Sequence, residues 1–183
     1  MKFYSITWNE LQELTFQTAK KISADNYSPD LIIAISRGGL TVAQIFSDYF
    51  DNCPIASFAV LSYKGLKQNN LPQVTLPLNK EIVLKNQKIL LVDDLSDTGE
   101  TFLVGLKHLQ SLGATKIKTA CLVIKSKTKY YPDYYVINND SWIIFPYETK
   151  ETTVNLTEMF KKEGLSEREI KEKLKALKIV KFP

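Results

Sequence analysis

The pattern of apolar and polar positions divides the chain into buried strands alternating with amphipathic helices. Leu31-Ile32-Ile33-Ala34-Ile35 and Ile89-Leu90-Leu91-Val92 are unbroken apolar runs, as in strands covered on both faces. Ile55 to Leu61 and Ile117 to Ile124 read as two more strands. Thr7-Trp8-Asn9-Glu10 is a capping-box pattern. It opens a helix to about Ile22, with Leu11, Leu14, Phe16, Ala19 and Ile22 as inward positions. Thr41 to Phe50 is expected to be helical. So is the stretch after Gly99, with Phe102, Leu103, Leu106, Leu109 and Leu112 on or near one face and Gly113 as its stop. Pro72 to Leu78 and Glu81 to Leu84 are expected to pair as a hairpin. The tail predicts a short helix ending at Gly164. A second helix follows, capped by Ser166-Glu167-Arg168-Glu169, with Ile170, Leu174 and Leu177 on one face. Strands and helices alternating from residue 31 to 125 predict an α/β fold with a mainly parallel sheet.

Composition narrows the class. A chain of 183 residues suits one domain with a full core. Its 44% hydrophobic and 24% charged residues are ordinary for a soluble globular protein. No apolar run reaches the length of a membrane span, and Met1 to Ser5 leads into a polar helix rather than a signal-peptide core. Cys53 and Cys121 have no metal-like spacing, so inert thiols in a reducing cytoplasm are expected. The net charge of +4 lies mostly from Lys150 onward, where nine Lys or Arg face six Glu. The excess belongs to the tail and gives weak support for a nucleic-acid partner.

The chemistry concentrates in Asp93-Asp94-Leu95-Ser96-Asp97-Thr98-Gly99-Glu100-Thr101, between an apolar strand and a helix. A turn that opens a helix offers unpaired backbone N–H groups and the positive end of the macrodipole, which suit a phosphate. Thr98 and Thr101 add hydroxyl donors, and Gly99 lets the backbone approach an oxyanion. Asp93 and Asp94 would repel that phosphate. They suit hydroxyl groups or a hard cation such as Mg²⁺. A ribose 5-phosphate satisfies both halves. A second turn, Ser36-Arg37-Gly38-Gly39-Leu40, follows an earlier strand and adds a fixed cationic fork. Taken alone it is an ordinary strand-to-helix turn.

The apolar run, the two acids and Asp-Thr-Gly-x-Thr resemble the phosphoribosyl-pyrophosphate (PRPP) motif of type I phosphoribosyltransferases, most closely the purine enzymes acting on hypoxanthine or on xanthine and guanine. The resemblance spans about residues 30–148. It implies the type I fold, with a core over about 30–125, a small hood from 1–29 and 126–150, and a helical tail over 151–183. It implies that Asp97, Thr98, Gly99, Glu100 and Thr101 hold the 5-phosphate, with the Glu100 side chain turned away from the anion. Asp93 and Asp94 would hold the ribose and Mg²⁺, and Ser36, Arg37, Gly38 and Gly39 the pyrophosphate. A cis peptide is implied at Ser36–Arg37 or Arg37–Gly38. Asp97 would be the catalytic acid/base at purine N7. Lys125, Trp142 and Ile143 would contact the base, although Ser126 stands where xanthine–guanine enzymes often have proline. Ser62-Tyr63 would begin a mobile loop closing over PRPP, and Glu148 would lie near a second metal.

The implied reaction transfers the 5-phosphoribosyl group to N9 of a 6-oxopurine in purine salvage. The implied assembly is a cytoplasmic homodimer or homotetramer with no membrane or nucleic-acid partner. Two alternatives share the motif. Adenine phosphoribosyltransferase has no use for a donor such as Lys125 facing the 6-position. A PRPP-sensing regulator that binds nucleic acid would keep the PRPP motif without needing the Lys125–Trp142 pair.

Overall fold

A computed structural model describes residues 1–61, 72–177 and 179. In chain order the elements begin with β1 (Phe3–Ser5), α1 (Trp8–Ala24), β2 (Leu31–Ser36), α2 (Gly38–Tyr49), β3 (Ile55–Leu61) and β4 (Gln73–Leu76). They continue with β5 (Lys88–Val92), β6 (Leu95–Ser96), α3 (Glu100–Ser111), β7 (Lys116–Ala120), β8 (Val123–Ile124) and β9 (Ile137–Asn138). Last come β10 (Trp142–Ile144), α4 (Thr149–Lys162) and α5 (Glu167–Ala176). The chain divides into two compact units, residues 14–140 and residues 1–13 with 141–183. Ser62 and Tyr63 lie outside the described residues.

The larger unit carries a five-stranded sheet in the order β4-β3-β2-β5-β7. β2 pairs in parallel with β3 and β5, and β5 in parallel with β7. Leu31 to Ile35 and Ile89 to Val92 are buried at every position, as their continuous apolar runs require of strands covered on both faces. The β2-α2-β3 step leads one way along the sheet and the β5-α3-β7 step the other. Right-handed crossovers therefore set α2 and α3 on opposite faces. Gly105 makes the α3 contact close. A Cβ there would lie 3.1 Å from Phe58, 3.3 Å from Leu91 and 3.4 Å from Ile35.

Three expected elements differ. The hairpin partner of β4 is β3, through Ala59↔Leu76 and Val60↔Val74, not the segment 81–84. There, Asn79 Oδ1 accepts from the Glu81 N–H at 3.0 Å and turns the chain. Leu84 then drops into the core, with Ile82 packed against it. The run Ile117 to Ile124 is two strands. β7 ends at Ala120, and β8 leaves the large sheet to join a small parallel one in the order β6-β8-β9. The break is fixed by backbone bonds that no side-chain pattern reveals: Leu122 N–H donates to Asp94 O at 3.0 Å, and Cys121 N–H to Tyr134 O at 3.0 Å. Finally, α2 starts at Gly38 rather than Thr41, for reasons of packing given below.

α1 opens as expected, with Thr7 N–H donating to Glu10 Oε2 at 2.8 Å and Glu10 N–H to Thr7 Oγ1 at 3.2 Å. Leu11, Ala19 and Ile22 are buried, and Thr15 and Thr18 join them. Leu14 and Phe16 are half-buried.

In the smaller unit β1 and β10 form a two-stranded parallel sheet. A single 3-10 turn at Pro146–Glu148 leads into α4. The core is Ile144, Leu156, Phe160 and Ile170, with Phe3 packed edge-on against Phe160 at 6.2 Å between ring centres. The capping box at Ser166 and Glu169 is formed. Ile170 is 5% exposed, so Ile170→Val should cost about 1 kcal/mol through the lost methylene. Equilibrium urea unfolding checks this. An unchanged midpoint would mean that α5 does not dock through Ile170. No helix among the described residues is long and apolar enough to cross a membrane.

Candidate active site

Strand order reverses between β2 and β5, and the C-terminal ends of the strands at such a reversal are the usual place for a ligand in these sheets. Both candidate turns lie there. Ser36 ends β2, the Ser36–Arg37 peptide is cis, and exposed Arg37 caps α2. The two glycines sit inside the first turn of the helix, and the reason is contact with β5. A Cβ on Gly38 would lie 2.5 Å from Cγ and both oxygens of Asp94. A Cβ on Gly39 would overlap the backbone carbonyl of Val92. The turn read as a pyrophosphate loop therefore abuts the acids read as ribose and metal ligands.

Asp93 and Asp94 are 8% and 9% exposed. Backbone bonds fix the pair. Asp93 N–H donates to Ala120 O at 3.1 Å, Asp93 Oδ1 accepts from the Asp94 N–H at 3.0 Å, and Asp94 O accepts from Leu122 and Val123. Two buried carboxylates form a hard oxygen donor set that fits Mg²⁺. Among the described residues no group of three or more His, Cys, Asp or Glu gathers to hold a metal. A Mg²⁺ at this pair would complete its shell with ligand oxygens and water, as that ion commonly does. Cys121 is nearby. Burial first, and then the Asp93 charge, push its thiol well above the usual range. It stays neutral and is no nucleophile.

Beyond the acids, Gly99 adopts φ +78° and caps α3. Its lack of a side chain has a second cause, unforeseen in the sequence. A Cβ would lie 2.5 Å from Tyr130 N and 2.7 Å from Thr128 Oγ1. The segment 128–130 backs the turn. Lys129 N–H donates to Thr98 O at 2.8 Å, and Ser96 Oγ and Thr128 Oγ1 share a hydrogen bond at 2.9 Å. Thr98 is exposed and Thr101 half-buried. Glu100 pairs with Lys129 Nζ at 2.8 Å. The first-turn N–H groups of α3 are the donors a helix leaves for an anion.

Asp97 and Lys125 are brought together by register. Leu95 pairs with Val123 and Ser96 with Ile124, so the next residues in line are Asp97 and Lys125. Lys125 Nζ lies 3.3 Å from Asp97 Oδ1, and Lys127 Nζ lies 3.1 Å from the same atom. Oδ1 is buried, and although both ammoniums are within ion-pair reach, neither makes a hydrogen bond of good geometry with it.

A phosphoribosyl transferase domain model matches residues 7–152. The chain belongs to the phosphoribosyltransferase family. It is 30% identical over 150 residues to a xanthine-guanine phosphoribosyltransferase of Gluconobacter oxydans, covering 80% of this chain and 85% of the relative. It is 31% identical to one from Idiomarina loihiensis, covering 79% and 86%. Among solved structures, a purine phosphoribosyltransferase from Pyrococcus horikoshii is 38% identical with a TM-score of 0.71, covering 80% of this chain and 95% of that one.

Within this phosphoribosyltransferase, the turn after Lys125 is held by a clasp that sequence reading missed. Asp140 Oδ1 accepts from Ser126 N–H and Oδ2 from Ser126 Oγ, both at 2.8 Å. These bonds, the backbone one first, hold the Asp140 carboxyl below its usual range. Ser126 thus offers two donors where proline would offer none. Lys127 and Lys129 were also missed, although their alternation with Lys125 just beyond an apolar strand was visible. In the smaller unit, Trp142 is 39% exposed and Ile143 6%. Glu148 is half-buried at the start of α4.

Proposed function

We propose that the protein transfers the 5-phosphoribosyl group of PRPP to N9 of a 6-oxopurine, releasing pyrophosphate, as a purine salvage enzyme. One observation carries the reading: the 3.3 Å pairing of Asp97, within the PRPP motif, with Lys125. Purine N7 and O6 are neighbours on one edge. A carboxylate for the N7 proton and an ammonium for O6, side by side, are complementary to that edge. The amino group of adenine would instead meet the ammonium donor to donor. The names of the relatives support the same substrate class.

The bond from C1′ to pyrophosphate breaks as the bond to N9 forms, through a loose transition state with positive charge at C1′. Catalysis rests on positioning and charge. Thr98, Gly99, Glu100 and Thr101 hold the 5-phosphate, largely through backbone N–H groups, with Asp97 at the head of the turn. Asp93 and Asp94 hold the ribose hydroxyls, and Ser36, Arg37, Gly38 and Gly39 the pyrophosphate. Asp93 and Asp94 would also hold Mg²⁺, which would supply positive charge to offset that of the leaving pyrophosphate. Asp97 accepts the N7 proton. Trp142 and Ile143 as base contacts, Glu148 as a metal ligand, and Ser62 and Tyr63 as the start of a closing loop rest on the resemblance alone. So do the cytoplasmic location and the homodimer or homotetramer.

The test is a spectrophotometric panel with PRPP, Mg²⁺ and each of hypoxanthine, guanine, xanthine and adenine. Turnover of at least one 6-oxopurine and not of adenine is expected. Adenine turnover alone would overturn the role of Lys125. PRPP binding without turnover of any base would favour a PRPP-sensing regulator. Lys125→Ala should lower kcat/KM for the preferred 6-oxopurine by the equivalent of about 1–3 kcal/mol, the worth of a hydrogen bond from a charged donor. No loss would leave Lys125 as a partner of Asp97 only.

A further inference from the structure

Glu100 poses an electrostatic problem. It is the first residue of α3, in the turn read as the 5-phosphate site, and a carboxylate there repels a phosphate dianion. The three lysines beyond β8 are divided between two acids. Lys125 and Lys127 lie against Asp97, while Lys129 Nζ donates to Glu100 Oε1 at 2.8 Å. Lys129 also reaches the turn through its backbone, at Thr98 O. The Lys129 and Glu100 side chains are 67% and 28% exposed. So open an ion pair adds little to stability, and its effect lies in the local field.

We infer that Lys129 is a positioning residue for the 5-phosphate. Its ammonium cancels the Glu100 charge and holds that carboxylate on the 128–130 side of the turn, so that the first-turn N–H groups of α3 meet the phosphate without a competing anion. The inference rests on the phosphate reading of the turn. Any residue but proline at 129 can keep the backbone bond to Thr98, so substitution separates the charge from the scaffold.

The experiment is calorimetric titration of PRPP with Mg²⁺ into the wild type, Lys129→Ala, Lys129→Arg, Glu100→Gln, and Lys129→Ala combined with Glu100→Gln. Lys129→Ala should raise Kd about tenfold, the size of one unscreened like charge near a partly solvated site. Added salt should shrink that loss. In turnover the loss should fall on the KM for PRPP rather than on kcat. Lys129→Arg should bind like the wild type. The combined variant should recover to within about twofold of it, because the two changes act through one charge pair. A scaffold role alone predicts no coupling, with Glu100→Gln improving PRPP binding by the same factor whether or not Lys129 is present. An unchanged Kd in Lys129→Ala, or a combined variant as weak as Lys129→Ala, overturns the inference. A wild type that binds no PRPP overturns the phosphate reading itself, and the inference with it.

Discussion

Asp97→Asn is expected to lower kcat by about 10²- to 10⁴-fold, the usual share of a positioned general acid or base, while PRPP still binds. The structure separates the two oxygens of Asp97. Oδ1 is the buried one, flanked by the Lys125 and Lys127 ammoniums. The side chain as a whole is 44% exposed, which leaves Oδ2 to face a ligand and take a proton. Asparagine keeps the shape and can still occupy the space between the lysines, but its amide is no base at neutral pH. Steady-state turnover at saturating PRPP and base, alongside calorimetric PRPP binding, checks this. An unchanged kcat would remove the proton-transfer role. Loss of PRPP binding in step with kcat would make Asp97 part of the phosphate site instead.

Gly39→Ala should destabilise the protein by about 3 kcal/mol, the upper part of the range for overpacking. The added Cβ meets the backbone carbonyl of Val92, in a strand paired on both sides, so nothing nearby can rotate out of the way. Gly38→Ala makes the useful contrast. Its Cβ meets the side chain of Asp94, which can swing aside. There the damage should appear in PRPP affinity more than in the urea midpoint. Urea unfolding followed by circular dichroism measures the Gly39 effect. A loss below about 1 kcal/mol would show that α2 can shift off β5 at the level of a single methyl group, against the close packing expected of an interior.

These glycines mark how far the sequence can be read. That they follow a strand and attend a ligand turn is visible in it. That they are spaces for a neighbouring strand and its carboxylate is not, because the contact joins the start of α2 to β5, more than fifty residues apart in the chain. The buried strands at 31–35 and 89–92 are legible because a run apolar at every position fits one environment. Ile117 to Ile124 reads as one strand because its apolar positions continue without a turn signal. Burial continues across both sheets, and the break is set by backbone bonds to the carbonyls of Asp94 and Tyr134. The 81–84 segment mimics a strand because Ile82-Val83-Leu84 is a short run of β-branched and apolar residues, although a bond to the Asn79 side chain has already turned the backbone. Asp93, Asp94 and Asp97 can be picked out by type and spacing. Asp140 cannot, since its partner, Ser126, is fourteen residues away and neither forms part of a recognisable motif.

The small sheet has a consequence for how such a chain can change length. Asp97 and Lys125 stand side by side because β6 and β8 share a register, and the start of β8 is tied to Asp94 O by the N–H groups of Val123 and of Leu122 just before it. Residues added or lost between Ser111 and Lys116 alter only a connection, and the facing pair survives. A single residue gained or lost between Ala120 and Ile124 slips the register by one and turns Lys125 to the other side of its strand. Descendants of this chain can therefore accumulate insertions in the first interval with their chemistry intact, whereas the second interval tolerates replacement but not a change in length.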